Sequence, residues 1–259
     1  NSKWKDFALS NLKKNKRYNK TFLILGSGES INKLNKEFWS WAHKNTCTIA
    51  VGSWWYHDFI PDIYCVECET RNCEKTYKKW ISQINKKYKK YKKTIFLPKV
   101  YGKTLNKNLN LDATYDNLLK QFKYPNWYQA PSGSIETFRF FCANTYKFLK
   151  IFNLNYIASI RSNIVFATLI AKELGAEKII LAGVDGYGGY FYNKYLTKNE
   201  LNQRPELVRK IQRGSDKNHG VPTIPQIMNS INRYIVPVQY IGKSMLKNYL
   251  KEFDFQKEN

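Results

Sequence analysis

Thr21-Phe22-Leu23-Ile24-Leu25-Gly26-Ser27-Gly28-Glu29-Ser30-Ile31 decides the fold. Residues 21–25 form a short apolar run that stops at a Gly-Ser-Gly turn, and a helical pattern takes over from Ile31. A short continuous apolar run bounded by turn residues reads as a buried strand. Strand, glycine turn and helix together are the opening of a nucleotide-binding α/β domain. Outward from it, further apolar runs at 48–51, 62–66, 94–97, 178–182 and 237–241 predict more strands. Residues 162–174 predict a helix that is apolar on one face and stopped by Gly175, and residues 225–233 predict another. Strands alternating with helices favour a mostly parallel sheet covered on both faces, a Rossmann-like α/β architecture. Residues 1–20 are expected to be a basic surface helix or arm, 21–250 a Rossmann-like nucleotide-binding domain and 251–259 a tail. The polar, tyrosine-rich segment 188–218 is expected to be a small inserted lid.

In such sheets ligands bind outside the carboxyl ends of the strands. The Gly/Ser/Asp/Tyr clusters fall there: 26–30 after the first strand, 52–53 after the second, 183–187 after the strand at 178–182, and 242–244 after the last. Gly26 and Gly28 allow a backbone to approach a phosphate or ribose closely, and Ser30 is placed to cap the following helix and aim its amides at an anion. Ser27, Gly52 and Ser53 stand beside them, and Glu67 ends the third strand, with Glu69 two residues on. The 26–30 segment lacks the third glycine of a dinucleotide fingerprint and the Gly-Lys-Ser/Thr of a Walker loop. Asp185 suits a sugar hydroxyl or a fixed turn. Tyr187, Tyr190 and Tyr192 put three phenols within six residues, and phenols can donate hydrogen bonds to a departing phosphate. His219, at the end of the expected lid, is a candidate general base near neutrality. His43 and His57, in Trp-rich surroundings, read as packing. Arg161, beside Ser162 and Asn163 where the long helix begins, suits a carboxylate or phosphate.

The chain carries 43 Lys and Arg against 20 Asp and Glu, a formal charge of +23. Such an excess points to an anionic partner: a nucleic acid, an acidic membrane surface or a phosphorylated substrate. No nucleic-acid-binding motif accompanies it, so nucleic acid is not the expected partner. No run of about 18 apolar residues is present to span a bilayer. Cys65-x-x-Cys68 followed by Cys73 falls short of the four ligands of a structural zinc, with no suitably spaced His behind it. Cys47, Cys65, Cys68, Cys73 and Cys142 are therefore expected to be free thiols in a reducing compartment. The chain opens on Asn1 and is expected to be part of a longer protein.

Leu25-Gly26-Ser27-Gly28-Glu29-Ser30-Ile31 resembles the Gly-Asn-Gly-Pro-Ser-Leu segment of bacterial lipooligosaccharide sialyltransferases, glycosyltransferase family 42. Leu174-Gly175 and the run from Ile179 through Gly183-Val184-Asp185-Gly186-Tyr187 are similar to that family's Leu-Gly, strand and Gly-Ile-Asp-Phe-Tyr. Ser244-Met245-Leu246 resembles its closing Asn-Ser-Leu-Leu. Ser27 stands where the family has Asn and Glu29 where it has Pro, and Gly52 or Ser53 occupies the place of a second nucleotide-contacting Asn. The resemblance implies a Rossmann-like domain with a lid that binds CMP-sialic acid, or a related CMP-linked nonulosonate or Kdo donor. It implies inverting transfer to a glycan acceptor with no metal or other cofactor. His219 would be the base, and Tyr187 with Tyr190 or Tyr192 would stabilise the leaving phosphate. Gly26, Ser27, Gly28, Ser30, Gly52, Ser53, Glu67, Arg161, Ser162, Asn163, Asp185 and Ser244 would bind the donor. It further implies a homo-oligomer, peripheral to the inner face of the cytoplasmic membrane. The same Gly-x-Gly-x-Ser opening is weakly similar to flagellin-modifying motility-accessory and pterin-pyrophosphokinase-like proteins, which would make the chain a nucleotide-binding enzyme of another class. A basic module binding nucleic acid or membrane is the alternative outside enzymes.

Overall fold

The computed structural model describes residues 3–67, 82, 86–99, 132–133, 157–158, 162–186, 189–202 and 224–258. Its centre is a seven-stranded parallel sheet. The first four strands are β1 (Thr21–Leu25), β2 (Cys47–Val51), β3 (Ile63–Glu67) and β4 (Ile95–Lys99). A two-residue ladder of β5 (Ser132–Gly133) and β6 (Ile157–Ala158) stands apart. Then come β7 (Lys178–Ala182), β8 (Val238–Ile241) and β9 (Lys251–Glu252). The order across the sheet is β4-β3-β2-β1-β7-β8-β9. The chain thus winds outward from β1 in one direction through β4, then returns to the other side of β1 and winds outward through β9. Every pairing in this sheet is parallel.

The strands are apolar throughout because both faces are buried, and their side chains alternate between two cores. Phe22, Ile24, Ile49, Ile63, Ile179 and Leu181 point into one core. Leu23, Leu25, Ala50, Tyr64, Ile180 and Ala182 point into the other. The first core is covered by α1 (Lys3–Lys14), by α4 (Asn163–Glu173) and by α6 (Ile224–Tyr234). The second is covered by α2 (Lys36–Asn45) and by the aromatic loops after β2 and β7. The remaining helices are short: α3 (Tyr88–Tyr91) leads into β4, and α5 (Lys198–Asn202) follows β7.

Four expectations change in the structure. The N-terminal segment is the helix of the two forms expected, but not only a surface one, since Trp4, Ala8 and Leu12 of α1 are buried in the first core. Its lysines obscured that one-face pattern. The helix α4 is not apolar on one face only: Ile164 through Ala171 are all buried, because the helix is enclosed between the sheet and other elements. No α-helix follows the first glycine turn directly. Glu29–Lys33 is a 3-10 turn, and α2 begins at Lys36 behind Asn35, whose side chain accepts from the Phe38 amide. The expected C-terminal tail contributes β9 to the sheet edge, and Phe253 behind it is buried. Of the expected lid, residues 188 and 203–218 lie outside the described residues. Its first part packs down on the sheet, with Phe191 and Tyr192 in the second core.

Candidate functional site

The winding reverses between β1 and β7, and the loops leaving these two strands carry the residues singled out in the sequence. The two loops are bound to each other. Gly26 N–H donates to the Ala182 carbonyl and Gly28 N–H to the Gly183 carbonyl, each at 2.8 Å. A Cβ on Gly26 would lie 2.4 Å from the Gly183 oxygen, so the two backbones touch. Phe191 N–H then donates to the Ser27 carbonyl at 3.1 Å, and Tyr190 bridges to Gly28, pulling the segment after β7 over the β1 turn.

Asp185 is buried beneath this turn. Its carboxylate accepts from the Ser30 amide at 2.8 Å and from the Ser30 hydroxyl. Burial pushes the Asp185 pKa up; the two Ser30 donors and Lys243 pull it down, and Glu29 raises it. Of the two roles the sequence left for Asp185, the geometry fills that of fixing the turn, and Ser30 is its partner. The Ser244 hydroxyl is similarly committed: it donates to the Val184 carbonyl at 2.7 Å and accepts from the Leu246 amide. Asp185→Ala leaves the buried donors of Ser30 without an acceptor and is expected to cost about 1–3 kcal/mol in urea unfolding. Asp185→Asn, which keeps an acceptor oxygen, is expected to lose less. Unchanged stability in the alanine variant would remove Asp185 from this structural role.

Ser27, Gly52, Ser53, Ser162 and Asn163 are half-buried and thus reachable. Ser27 Oγ lies over the end of β2, 3.5 Å from the Val51 carbonyl and against Gly52. The Gly52 carbonyl accepts from the Tyr64 hydroxyl at 2.6 Å. Ser162 caps α4, accepting from the Ile164 amide at 3.1 Å, and Ile164 packs against Gly26. The N-terminus of α4 therefore meets the carboxyl end of β1. Glu67 is the last residue of β3, at the same edge. Arg161, Tyr187, His219 and Glu69 lie outside the described residues.

Tyr190 and Tyr192 enter a ladder of rings that the sequence reading did not foresee. Tyr190 stacks on Tyr192 with centroids 5.2 Å apart, Tyr192 on Tyr56 at 5.5 Å, and Tyr56 on Tyr195 at 5.6 Å. The planes lie within 15° of parallel. Tyr56 comes from the loop after β2 and the other three from the loop after β7, so the ladder bridges the edge across β1. The local signal was Trp54-Trp55-Tyr56 directly behind a strand, but its partner lies far along the chain. Tyr192 is buried in the ladder and Tyr195 half-exposed at its end.

His57 packs below, as its Trp-rich context implied. Its ring stacks on Trp54 at 4.6 Å and lies near Trp39 and Phe191, and its Nδ1 accepts from the Phe59 amide. Burial lowers its pKa to about 4; Asp58 raises it, and Lys87 and Lys194 lower it. His57 is thus neutral near pH 7 and serves as an acceptor for the backbone. Cys47 and Cys65 are free and buried, and burial pushes the Cys47 thiol well up. Among the described residues no cluster of three or more His, Cys, Asp or Glu stands ready for a metal ion.

The edge thus offers the half-buried serines Ser27, Ser53 and Ser162 and a rank of phenols around the point where the sheet reverses. Such groups suit the hydroxyls and phosphate of a nucleotide or sugar nucleotide. No protein-family model, no curated protein and no solved structure matches the chain.

Proposed function

We propose that this protein transfers sialic acid, or a related nonulosonate or Kdo sugar, from a CMP-linked donor to a glycan acceptor. The observation that carries the reading is the grouping of Ser27, Gly52, Ser53, the Ser162 end of α4 and the Tyr190–Tyr192 pair at one edge, around the reversal between β1 and β7. The resemblance of residues 25–31 and 179–187 to lipooligosaccharide sialyltransferases gives the reading its donor class. In this mechanism His219 takes the proton of the acceptor hydroxyl, the oxygen attacks the anomeric carbon, and the bond to CMP breaks with inversion. Tyr187, with Tyr190 or Tyr192, donates to the departing phosphate. CMP leaves with a single phosphate, so less charge builds up than on a nucleoside diphosphate, and neutral donors suffice.

Thermal unfolding with CMP, CDP, UDP, GDP and ADP, each with and without EDTA, tests this reading. CMP alone is expected to stabilise the chain, by about 2.7 kcal/mol at a hundred times its Kd, with no effect of EDTA. His219→Ala is expected to keep that shift and lose transfer. A shift only with a nucleoside di- or triphosphate plus Mg²⁺ would replace the reading with a pyrophosphokinase-like one. No shift with any nucleotide would remove it.

A further inference from the structure

In a parallel sheet all strands begin at one edge, and each helix that leads into a strand ends there. That amino edge is tied together by long-range contacts. Arg17 pairs with Asp62 at 3.6 Å and lies against His43, and Tyr18 donates to the Leu174 carbonyl. The Thr94 hydroxyl donates to the Pro61 carbonyl, and Ile95 N–H to that of Asp62. These contacts place the end of α1, the end of α2 and the turn before β4 side by side.

The same three segments expose cations. Lys13 and Lys14 close α1 and Lys16 follows it, Lys44 lies in the last turn of α2, and Lys93 precedes β4; all five are exposed. Arg233 ends α6 at the same edge, beside the exposed ring of Tyr234. A basic residue in a last helical turn complements the helix dipole. That accounts for Lys13, Lys14 and Lys44, but Lys16 and Lys93 lie outside any helix. Three carboxylates at this edge are paired inside it: Asp62 with Arg17 and Thr48, Glu177 with Lys20, and Glu173 with Lys5. Five exposed lysines and Arg233 thus stand together opposite the edge of the candidate site.

We propose that the amino edge of the sheet is a docking surface for an anionic lipid bilayer. The face is built of blunt helix ends. Among the described residues no helix or ribbon projects from it to enter a groove, and it presents helix carboxyl ends rather than the amide-bearing amino ends that grip phosphates of nucleic acid. Its cations are mostly lysines, mobile point charges that suit a fluid layer of headgroups, and Tyr234 adds an aromatic ring of the kind favoured at an interface. Docked this way, the carboxyl edge of the sheet faces the aqueous phase. The inference stands apart from the choice of donor.

Sedimentation with lipid vesicles tests it on the full chain, without any nucleotide. The wild type is expected to bind vesicles of phosphatidylcholine with phosphatidylglycerol, to ignore pure phosphatidylcholine, and to dissociate as salt rises. Lys14→Glu, Lys16→Glu, Lys44→Glu and Lys93→Glu together are expected to weaken binding roughly a hundredfold. A control set on the other edge, Lys33→Glu, Lys36→Glu, Lys194→Glu and Lys198→Glu, carries the same charge change and is expected to cost about threefold or less. If the first set melts early, the corresponding Lys→Gln variants give the same comparison at half the charge change. Equal losses in the two sets would overturn the proposal in favour of diffuse attraction. Failure of the wild type to bind anionic vesicles would overturn it, and binding of duplex RNA or DNA instead would assign the face to nucleic acid.

Discussion

Gly183→Ala is expected to destabilise the protein by about 4 kcal/mol, combining left-handed strain with overpacking. Gly183 sits at φ +69°, where an L side chain is strained. An added methyl would also lie 2.6 Å from Ile31 Cγ1 and 2.8 Å from the Gly26 oxygen. Ile31 is buried in the second core, and Gly26 is held by its own bond to Ala182, so neither neighbour has room to retreat. Urea unfolding measures the loss. Because the touching backbones also set Ser27 and Tyr190, the variant is expected to lose nucleotide-dependent stabilisation as well. A variant within about 1 kcal/mol of the wild type would show that the β1 and β7 loops separate easily, contrary to the close approach described above.

Acidification is expected to cost about 3 kcal/mol through His57 alone. The folded pKa, about 4, lies below the ordinary value of 6.5. The unfolded chain therefore takes up this proton first as pH falls. The contribution is complete above about pH 6.5, declines between 6.5 and 4, and levels off below. Two carboxylates act in the opposite sense. Burial raises the pKa of Asp62 and of Asp185, so their native forms bind protons more readily than the unfolded chain. The comparison that isolates His57 is with His57→Asn, whose side-chain oxygen can take the place of Nδ1 and accept from Phe59 without titrating here. Denaturant unfolding from pH 7 to 4.5 should fall more steeply in the wild type than in His57→Asn. Parallel curves would place the acid sensitivity elsewhere.

The strands were legible because each is a compact signal. Residues 178–182 and 21–25 are apolar at every position but the first, and glycine follows each. A sheet buried on both faces demands that pattern, and a turn into a loop supplies the glycine. The end of α4 was equally plain, with Ser162 as its cap and Gly175 at φ +93° behind it. The N-terminal helix was harder to place. Trp4, Ala8 and Leu12 recur at helical spacing, but the lysines between them carry the average character of the segment. The turn after β1 hid its 3-10 form, since Ser30 looks like a helix cap until its hydroxyl is seen bonded to Asp185, 155 residues away.

By itself, then, the sequence determined what depends on near neighbours: that six apolar runs become strands of the sheet, where α4 starts and stops, that the sheet is mostly parallel, and that its carboxyl edge gathers glycine, serine and tyrosine. Only the tertiary structure decided what depends on residues far apart in the chain. It seated β7 beside β1, closed the turn with Asp185 and Ser30, stacked Tyr56 on Tyr192, and drew the lysines of three separate segments onto one face. The physical reason is the range of the forces that each level expresses. Backbone sterics and burial period act over a few residues and leave a local trace. Pairing of a buried carboxylate, of two rings or of two loop backbones is set by packing, which brings together positions that no local pattern connects.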